Sequence, residues 1–288
     1  MILVLGKHGQ LSQEFQAINT EEAIYLSSKE LDLKNIDSIY PLLKRYTPKI
    51  LINFTAYNFV DDAEVNEENV LINSLAIREM AKYCAANKIM LVHISSDYVF
   101  DGFKGQYDET DAPNPINAYG RAKLDGENHI TQICNQYLIL RTSWLYSLYG
   151  NNFLTKVIAM QESAESLKGA DDLIGSPTSA QSLAHAVHHV ICLSNEMQIN
   201  YGTYHFSNEG EVSKYIFMKK ILEELCIIKG GNPKAISIAK NADFKMAAKR
   251  PYNTSLKSNK FSENFKYKIP SWDQELKLIM GKYERNNS

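Results

Sequence analysis

Tyr119 and Lys123, four positions apart, are the pair in this 288-residue sequence most suited to chemistry. In a helix, residues at this spacing lie on one face and their side chains point the same way. A cation beside a phenol lowers the phenol pKa, and a helix that begins near Tyr119 adds partial positive charge. The pair therefore predicts a tyrosine that exchanges a proton near neutral pH. The alternative is an ordinary Tyr and Lys on a helix surface.

A glycine turn follows the first apolar segment of the sequence. Gly6 permits a tight turn, and Gly9 lets a phosphate approach the backbone ahead of the first helix. Ser12 stands where a third glycine is expected. Two glycines alone also occur in plain strand–helix connections. Because the turn comes directly after the first predicted strand, dinucleotide binding and a plain connection are equally supported by the turn itself.

The segment after the second predicted strand indicates the type of dinucleotide. An acid that binds the adenosine 2′-hydroxyl is expected about 20 residues beyond the glycine turn, where the sequence has Ser27-Ser28-Lys29. Lys7 adds a second cation. These residues favour a 2′-phosphate and hence NADPH, with NADH as the alternative because Glu30 and Asp32 are close by.

A serine loop completes the set of candidate catalytic residues. Ser96 follows a predicted strand at Met90–Ile94 and is expected near Tyr119. Its hydroxyl would hydrogen-bond a substrate carbonyl and stabilise the alkoxide that forms on reduction. The alternative is a Ser/Asp turn or cap. With Lys123 and the glycine turn, Ser96 favours ketone reduction.

These residues require an ordered sheet to bring them together. Apolar segments rich in β-branched residues alternate with amphipathic stretches in the first half of the chain. Strands are predicted at Ile2–Leu5, Ala23–Leu26, Ile50–Phe54, Met90–Ile94 and Tyr137–Arg141, and helices through Leu11–Ile18, at Ile36–Tyr46, near Val70–Asn87 and from Tyr119. This alternation predicts an α/β fold with a Rossmann-like, doubly wound parallel sheet. Ligands bind such sheets outside the carboxyl ends of the strands.

The second half of the chain is less regular. Helices are predicted at Phe153–Glu162, Ser179–Ser194 and Lys214–Ile228, separated by loops with glycine and proline. We expect an NAD(P)-binding Rossmann domain over residues 1–150 and a smaller α/β C-terminal substrate domain over residues 151–288. The two are expected to be interleaved, with some later segments returning to the Rossmann domain.

Composition excludes several classes of function. A net charge of −2 offers no basic footprint for nucleic acid. No signal peptide and no apolar run of about 18 residues is evident, so no membrane contact is expected. Four well-separated cysteines indicate reduced thiols in a cytoplasmic protein. His185 and His189 have zinc-like spacing but no evident third ligand, so an amphipathic helix is favoured over a metal site.

The combined pattern resembles the dTDP-4-dehydrorhamnose reductases, a family of extended short-chain dehydrogenase/reductases. The residues that carry the resemblance are spread in order along nearly the whole chain. They are Gly6-Lys7-x-Gly9-Gln10-Leu11, Asn53, Val60-Asp61-x-Ala63-Glu64, Asn73, His93-x-Ser95-Ser96-Asp97-Tyr98-Val99-Phe100-Asp101-Gly102, Tyr119-Gly120-x-x-Lys123, Arg141-Thr142-Ser143-Trp144, Asn152-Phe153, Gly175-x-Pro177-Thr178 and Arg250-Pro251-x-Asn253.

The resemblance implies reduction of the C4 ketone of a nucleotide-linked 4-keto-6-deoxy sugar, dTDP-4-dehydro-L-rhamnose above all, by NAD(P)H. Tyr119 would supply the proton, Lys123 would hold the ribose and lower the Tyr119 pKa, and Ser96 would orient the carbonyl. The implied cofactor-binding residues are Gly6, Lys7, Gly9, Gln10, Leu11, Asp32, Leu33, Asn53, Thr55, Ala56, Tyr57, Asn73, Ser95, Tyr119 and Lys123. The implied substrate-binding residues are Ser96, Asp97, Tyr98, Trp144, Asn152 and Arg250.

The sequence departs from the family pattern at a few positions. Ser96 stands where many members carry threonine, Tyr57 where histidine is usual and Leu173 where glutamine is usual, and these changes bear on the exact sugar. Some members bind magnesium at a dimer interface through several glutamates. Glu14 matches one of them, but Gln181 replaces another, so we expect no metal site and a monomer or weak homodimer.

Two other functions fit the same fold. A sugar-nucleotide dehydratase needs an acid pair, and here Asp97 is followed by Tyr98 rather than glutamate, which disfavours elimination; an epimerase is excluded less firmly. The second alternative is a non-catalytic NADP-binding regulator, like the reductase-like β subunit of methionine adenosyltransferase. The presence of Ser96, Tyr119 and Lys123 favours an enzyme.

Overall fold

The structure is a computed structural model that describes residues 1–163 and 166–287. Its strands are β1 (Ile2–Leu5), β2 (Ala23–Leu26), β3 (Ile50–Asn53), β4 (Met90–Ser96), β5 (Tyr137–Thr142), β6 (Leu145–Tyr146), β7 (Leu167–Ala170), β8 (Ile174–Gly175), β9 (Thr178–Ser179), β10 (Gly202–His205), β11 (Val212–Ser213) and β12 (Ile236–Ala239). Its α-helices are α1 (Gln10–Ile18), α2 (Ile36–Tyr46), α3 (Glu68–Val70), α4 (Ala76–Asn87), α5 (Ala118–Ile133), α6 (Phe153–Glu162), α7 (Ala180–Glu196), α8 (Lys214–Lys229), α9 (Asn259–Phe265) and α10 (Trp272–Asn287).

A six-stranded parallel sheet in the order β10-β5-β4-β3-β1-β2 forms the centre of the molecule. It confirms the predicted parallel α/β fold. The chain moves outward from β1 to β2 and then crosses back to β3, so the strand order reverses between β1 and β3. In open α/β sheets a crevice for ligands opens at this reversal, beyond the carboxyl ends of the strands.

Alternate side chains of the central strands enter two separate cores. Ile2 and Val4 of β1 face the core that includes α1 and α7, whereas Leu3 and Leu5 face the core that includes α2 and α4. This follows from the two-residue period of a strand. Helices therefore cover both faces of the sheet, as a doubly wound fold requires.

The second half of the chain builds a third core. Side chains of α6, α8 and α10 meet in it, with Phe217 at the centre of contacts to Tyr146, Phe153 and Trp272. β10 lies beside β5 in the central sheet and was not among the predicted strands. The division of the chain at residue 150 stays a prediction. Across residues 1–163 and 166–287, no helix has both the length and the apolar character of a membrane span.

One predicted strand end near the site was wrong, and one predicted helix is present but contains an irregular turn. β4 continues through Ser95 and Ser96, because these residues pair with Arg141 and Thr142 of β5. The helix predicted near Val70–Asn87 is interrupted by a π-helical turn at Leu71–Leu75. That turn carries Asn73, whose side chain hydrogen-bonds both backbone groups of Tyr57; π turns of this kind occur often at functional sites.

Candidate active site

The N-terminus of α5 positions Tyr119 and Lys123, and its location confirms the predicted helix start. The side-chain oxygen of Asn117 accepts a hydrogen bond from the Gly120 backbone N–H at 2.8 Å, which caps the helix. A Cβ atom on Gly120 would lie 2.1 Å from the carbonyl oxygen of Tyr98. Only glycine permits this approach, and it brings α5 against the segment that follows β4.

A cavity of about 380 Å³ opens at the carboxyl ends of the parallel strands. Residues predicted for both cofactor and substrate line it together. They are Gly9, Gln10, Leu11, Thr55, Ala56, Ser95, Ser96, Asp97, Tyr98, Tyr119, Lys123, Trp144 and Asn152. Residues from both halves of the chain thus share one cavity, which we call the central cavity.

The other predicted cofactor residues do not line the central cavity. Asn53, Tyr57 and Asn73 are buried and bind backbone and side chains around it. Gly6 and Lys7 lie in the turn after β1, and Asp32 and Leu33 follow β2. Gly6 has φ +96°, and a Cβ atom there would meet the Phe54 backbone at 3.2 Å, so the turn requires glycine.

The expectation that Lys123 lowers the pKa of Tyr119 is wrong for this structure. Burial raises the pKa of Tyr119 to about 12; the Ser96 hydroxyl opposes this rise and the Asp97 carboxylate adds to it. Lys123 instead donates a hydrogen bond from Nζ to the Ile94 carbonyl at 2.7 Å. Burial lowers the pKa of Lys123 to about 8. Tyr119 consequently keeps its proton at neutral pH, which suits a proton donor.

Asp97 is a buried carboxylate that receives several hydroxyl groups. Ser96 donates to its Oδ1 at 3.0 Å and Ser143 to its Oδ2 at 2.8 Å, while Thr254 also donates to Oδ2. Burial raises the Asp97 pKa, and these hydrogen bonds oppose the rise. Because the Ser96 hydroxyl points toward Asp97, it must rotate before it donates to a substrate carbonyl.

Trp144 and Lys214 line the central cavity together. The Nζ atom of Lys214 lies 3.4 Å from the centre of the Trp144 ring and 4.5 Å from that of Phe153. Trp144 has φ +44°, a conformation that bulky residues rarely adopt outside constrained sites. Lys214 was not among the predicted site residues, since its only sequence signal was its place at the start of a helical pattern.

Gln10 and Asn152 connect the two halves of the site. Asn152 Nδ2 donates to Gln10 Oε1 at 3.1 Å, and the Asn152 side chain also caps α6 through Thr155. Gln10 in turn donates to the Leu145 carbonyl at 3.3 Å. Gln10 was expected to bind cofactor and Asn152 to bind substrate. In the structure these two side chains bind each other.

The turn between β1 and α1 fits a dinucleotide. Gly9 is the N-cap of α1 and has no side chain to bind the free N–H groups of the first turn, which leaves them for a phosphate. Lys7, Ser28 and Lys29 are exposed beside this turn. The Glu30 carboxylate, by contrast, accepts hydrogen bonds from the Ser27 backbone and hydroxyl. The exposed cations suit a 2′-phosphate.

A second cavity of about 490 Å³ adjoins the central one and is mainly apolar. We call it the apolar cavity. Its lining includes Val157, Met160, Leu173, Met218, Phe244 and Met246, with Lys156, Lys168 and Arg250 as cations. Arg250, predicted to lie near the sugar nucleotide, pairs with Asp61 at 2.8 Å.

His189, one of the two histidines on α7 with zinc-like spacing, packs against a later segment of the chain. His189 Nε2 lies 2.9 Å from the Phe265 carbonyl oxygen, and its ring contacts Tyr267. These contacts hold α7 against the segment around α9. Within the described part of the chain, no three His, Cys, Asp or Glu side chains are grouped as a metal ion would need.

Comparisons with known proteins agree with this geometry. Residues 1–285 match the family described as "RmlD substrate binding domain". The dTDP-4-dehydrorhamnose reductase of Aggregatibacter actinomycetemcomitans is 31% identical over 289 residues, which covers 96% of this chain and 97% of that protein. The enzyme of the same name from Sinorhizobium fredii is 32% identical over 285 residues, 97% of this chain and 96% of that protein. A crystal structure of dTDP-4-dehydrorhamnose reductase from Bacillus anthracis in complex with NADP has a TM-score of 0.90, 32% identity and 98% coverage of both chains.

Proposed function

We propose that this chain, which belongs to the dTDP-4-dehydrorhamnose reductase family, reduces the C4 ketone of a nucleotide-linked 4-keto-6-deoxy sugar with NADPH. The substrate that the names of its relatives suggest is dTDP-4-dehydro-L-rhamnose, reduced to dTDP-L-rhamnose. The observation that supports this most is that Ser96, Tyr119 and Lys123 line one cavity together with the start of α1. A cytoplasmic location and a monomer or weak homodimer stay predictions.

The chemistry divides among these residues as follows. NADPH, when bound, supplies a hydride to the carbonyl carbon. Tyr119 is protonated at neutral pH because burial raises its pKa to about 12, and it donates that proton to the substrate oxygen. The Ser96 hydroxyl stabilises the negative charge that develops on this oxygen. Lys123, on the same face of α5, would hold the ribose of the cofactor.

The proposal favours reduction over elimination. Tyr98 stands beside Asp97 where a dehydratase needs an acid, and its ring packs edge-to-face against Tyr119 with centroids 5.9 Å apart. Burial and the Asp97 charge raise the pKa of Tyr98 well above its ordinary value. Tyr98 therefore stays neutral and shapes the cavity around Tyr119.

The test is consumption of NADPH by the purified protein with a panel of 4-keto sugar nucleotides. We expect turnover with dTDP-4-dehydro-L-rhamnose. Tyr119→Phe is expected to lower turnover by about 10²–10⁴-fold while NADPH binding is retained. Tyr252→Phe, at an exposed tyrosine outside both cavities, serves as the matched control with wild-type turnover.

Three outcomes would contradict parts of the proposal. Wild-type turnover in Tyr119→Phe would exclude Tyr119 as the proton donor. NADPH binding without reduction of any sugar in the panel would favour a regulatory protein. Exchange of substrate stereochemistry without net NADPH consumption would favour an epimerase.

A further inference from the structure

Lys214 is a cation whose position is not explained by the helix it begins. It is the first residue of α8, directly after the N-cap Ser213. A positive charge at a helix N-terminus is unfavourable because it meets the positive end of the helix dipole. Its Nζ forms no hydrogen bond or ion pair with any residue in the described ranges, and lies instead over the rings of Trp144 and Phe153.

Lys214 lies where the central cavity and the apolar cavity meet. Lys214, Tyr98 and Phe153 line both the central cavity and the apolar cavity. On one side lie Ser96 and Tyr119, where the ketone is reduced. On the other side lies apolar surface large enough for a planar base. A ligand that occupies both cavities must pass Lys214.

The charge of Lys214 is left available for such a ligand. Burial lowers the pKa of Lys214 to about 7, and the charge of the Asp97 carboxylate opposes this fall. The Asp97 oxygens already accept hydrogen bonds from Ser96, Ser143 and Thr254. The other charged or titratable side chains that line the two cavities are Tyr98, Tyr119, Lys123, Lys156, Lys168 and Arg250.

We propose that Lys214 anchors the substrate by binding the diphosphate that joins its sugar to its nucleoside. This inference rests on the proposed function. In a nucleotide sugar the diphosphate lies between the two other parts. With the sugar beside Tyr119 and the base in the apolar cavity, the diphosphate reaches the junction where the Lys214 ammonium is. Two aromatic faces hold the side chain there through cation–π contacts.

The first test measures binding of dTDP and of thymidine to the NADPH-saturated protein by calorimetry. Lys214→Met is expected to weaken dTDP binding by about tenfold to a hundredfold, the effect of losing a charged hydrogen bond. Thymidine, which has no phosphate, is expected to bind both proteins equally. Lys219→Met removes an exposed lysine of the same helix that pairs with Glu223, and it should leave dTDP binding unchanged.

The second test uses pH to separate charge from shape. Lys214→Arg keeps a cation at every pH in the range, whereas wild-type Lys214 loses its charge as pH rises above about 7. The ratio of wild-type to Lys214→Arg affinity for dTDP should therefore fall between about pH 6 and about pH 9. Because bound diphosphate stabilises the ammonium form of Lys214, the fall in this affinity ratio is expected toward the upper end of this pH range. A constant ratio together with unchanged dTDP binding in Lys214→Met would overturn the proposal.

The outcomes also separate this inference from the proposed function. If Lys214→Met binds dTDP as tightly as wild type, or reduces the keto sugar with an unchanged KM, the anchor is wrong and the reductase stands. If dTDP binding depends on Lys214 but no keto sugar is reduced, the anchor stands and the reductase is wrong. A KM that rises by a larger factor than kcat falls supports both.

Discussion

The Nε2 atom of His93 lies 3.5 Å from the Nζ atom of Lys123. The contact made by Nδ1, the other nitrogen of the ring, determines which of the two carries the proton. The Thr55 backbone N–H donates to Asn53 Oδ1 at 3.0 Å, so the Asn53 amide nitrogen is the atom 3.1 Å from His93 Nδ1. Nδ1 must then accept. The neutral ring therefore carries its proton on Nε2, directed at Lys123.

This arrangement disfavours a charged Lys123. Burial and the charge of Lys123 hold the pKa of His93 well below its ordinary value, so the ring stays neutral. An N–H group that points at an ammonium is unfavourable, and one that points at a neutral amine is favourable. The ring thus acts in the same direction as burial, which lowers the pKa of Lys123 to about 8.

Asn53→Asp tests the effect of the His93 ring on the pKa of Lys123 through the pH dependence of NADPH binding. Wild-type affinity is expected to fall as pH rises through about 8, where Lys123 loses its charge. A carboxylate at position 53 can only accept a hydrogen bond from Nδ1, so it favours the tautomer with the proton on Nδ1 and leaves the Nε2 lone pair facing Lys123. The pKa of Lys123 then rises, and the fall in affinity moves to higher pH. NADPH fluorescence titration over this range measures the shift.

The control for Asn53→Asp is the same substitution with the ring removed. In a His93→Phe background the carboxylate no longer acts through the imidazole, so the pH shift is expected to be smaller. Coupling of this kind between contacting residues appears as non-additive effects. Equal shifts in both backgrounds would mean that the carboxylate acts on Lys123 by charge alone.

Ser96 is expected to require its hydroxyl but not its exact side chain. Ser96→Ala removes the group that stabilises the developing oxyanion and should lower kcat by about 10²–10³-fold. Ser96→Thr keeps the hydroxyl and should retain most activity. Ser143→Ala is the matched control, because Ser143 also binds Asp97, at 2.8 Å, but lies outside the lining of the central cavity. A loss in Ser143→Ala as large as in Ser96→Ala would assign the effect to Asp97.

Substitution by alanine is expected to destabilise the folded protein at two glycines and to stabilise it at a third. A Cβ atom would lie 2.1 Å from the Tyr98 carbonyl oxygen at Gly120 and 2.3 Å from the Asn73 carbonyl oxygen at Gly126, but meets no atom within 4 Å at Gly281. Gly120→Ala and Gly126→Ala must displace backbone, at about 1–3 kcal/mol. Gly281→Ala lies in α10 and should stabilise it by about 0.5–1 kcal/mol. Urea unfolding measures all three, and stabilisation by Gly120→Ala would contradict the packing of α5.

Much of the site is local in sequence, and that part was predictable. The glycine turn, Ser96 and the Tyr119–Lys123 pair each lie at a strand end or helix start that the apolar pattern marks. A parallel sheet brings all such ends to one edge. Their convergence therefore follows once the strands are identified.

The parts that were missed depend on contacts between distant segments. Lys214 meets Trp144 only because α8 packs against the loop after β5, and no spacing rule links the two residues. The Tyr119 pKa changed in the direction opposite to prediction because spacing shows that a cation is near but not how deeply the phenol is buried. Desolvation is the largest effect on this pKa, and the groups that act on it besides are Ser96 and Asp97, not Lys123. The Nζ atom of Lys123 hydrogen-bonds the Ile94 carbonyl instead.

Lys123 is also expected to make stability depend on pH. The side chain is 1% exposed, and its pKa is about 8 in the folded protein against an ordinary value of 10.5. Between these values the unfolded chain binds the proton and the folded chain does not, so the free energy of unfolding rises with pH. The difference between a pKa of 10.5 in the unfolded chain and about 8 in the folded protein corresponds to about 3 kcal/mol.

Lys123→Met removes this titration, so the wild type should gain about 3 kcal/mol relative to the variant as pH rises from about 8 to about 10.5. Chemical denaturation at a series of pH values measures the difference, because titrations common to both proteins cancel. Lys82→Met, at an exposed lysine that pairs with Glu79 at 2.8 Å, is the control and should show no such trend. A wild-type advantage that stays constant over this range would mean that Lys123 is charged in the folded protein, and burial would then not govern its pKa.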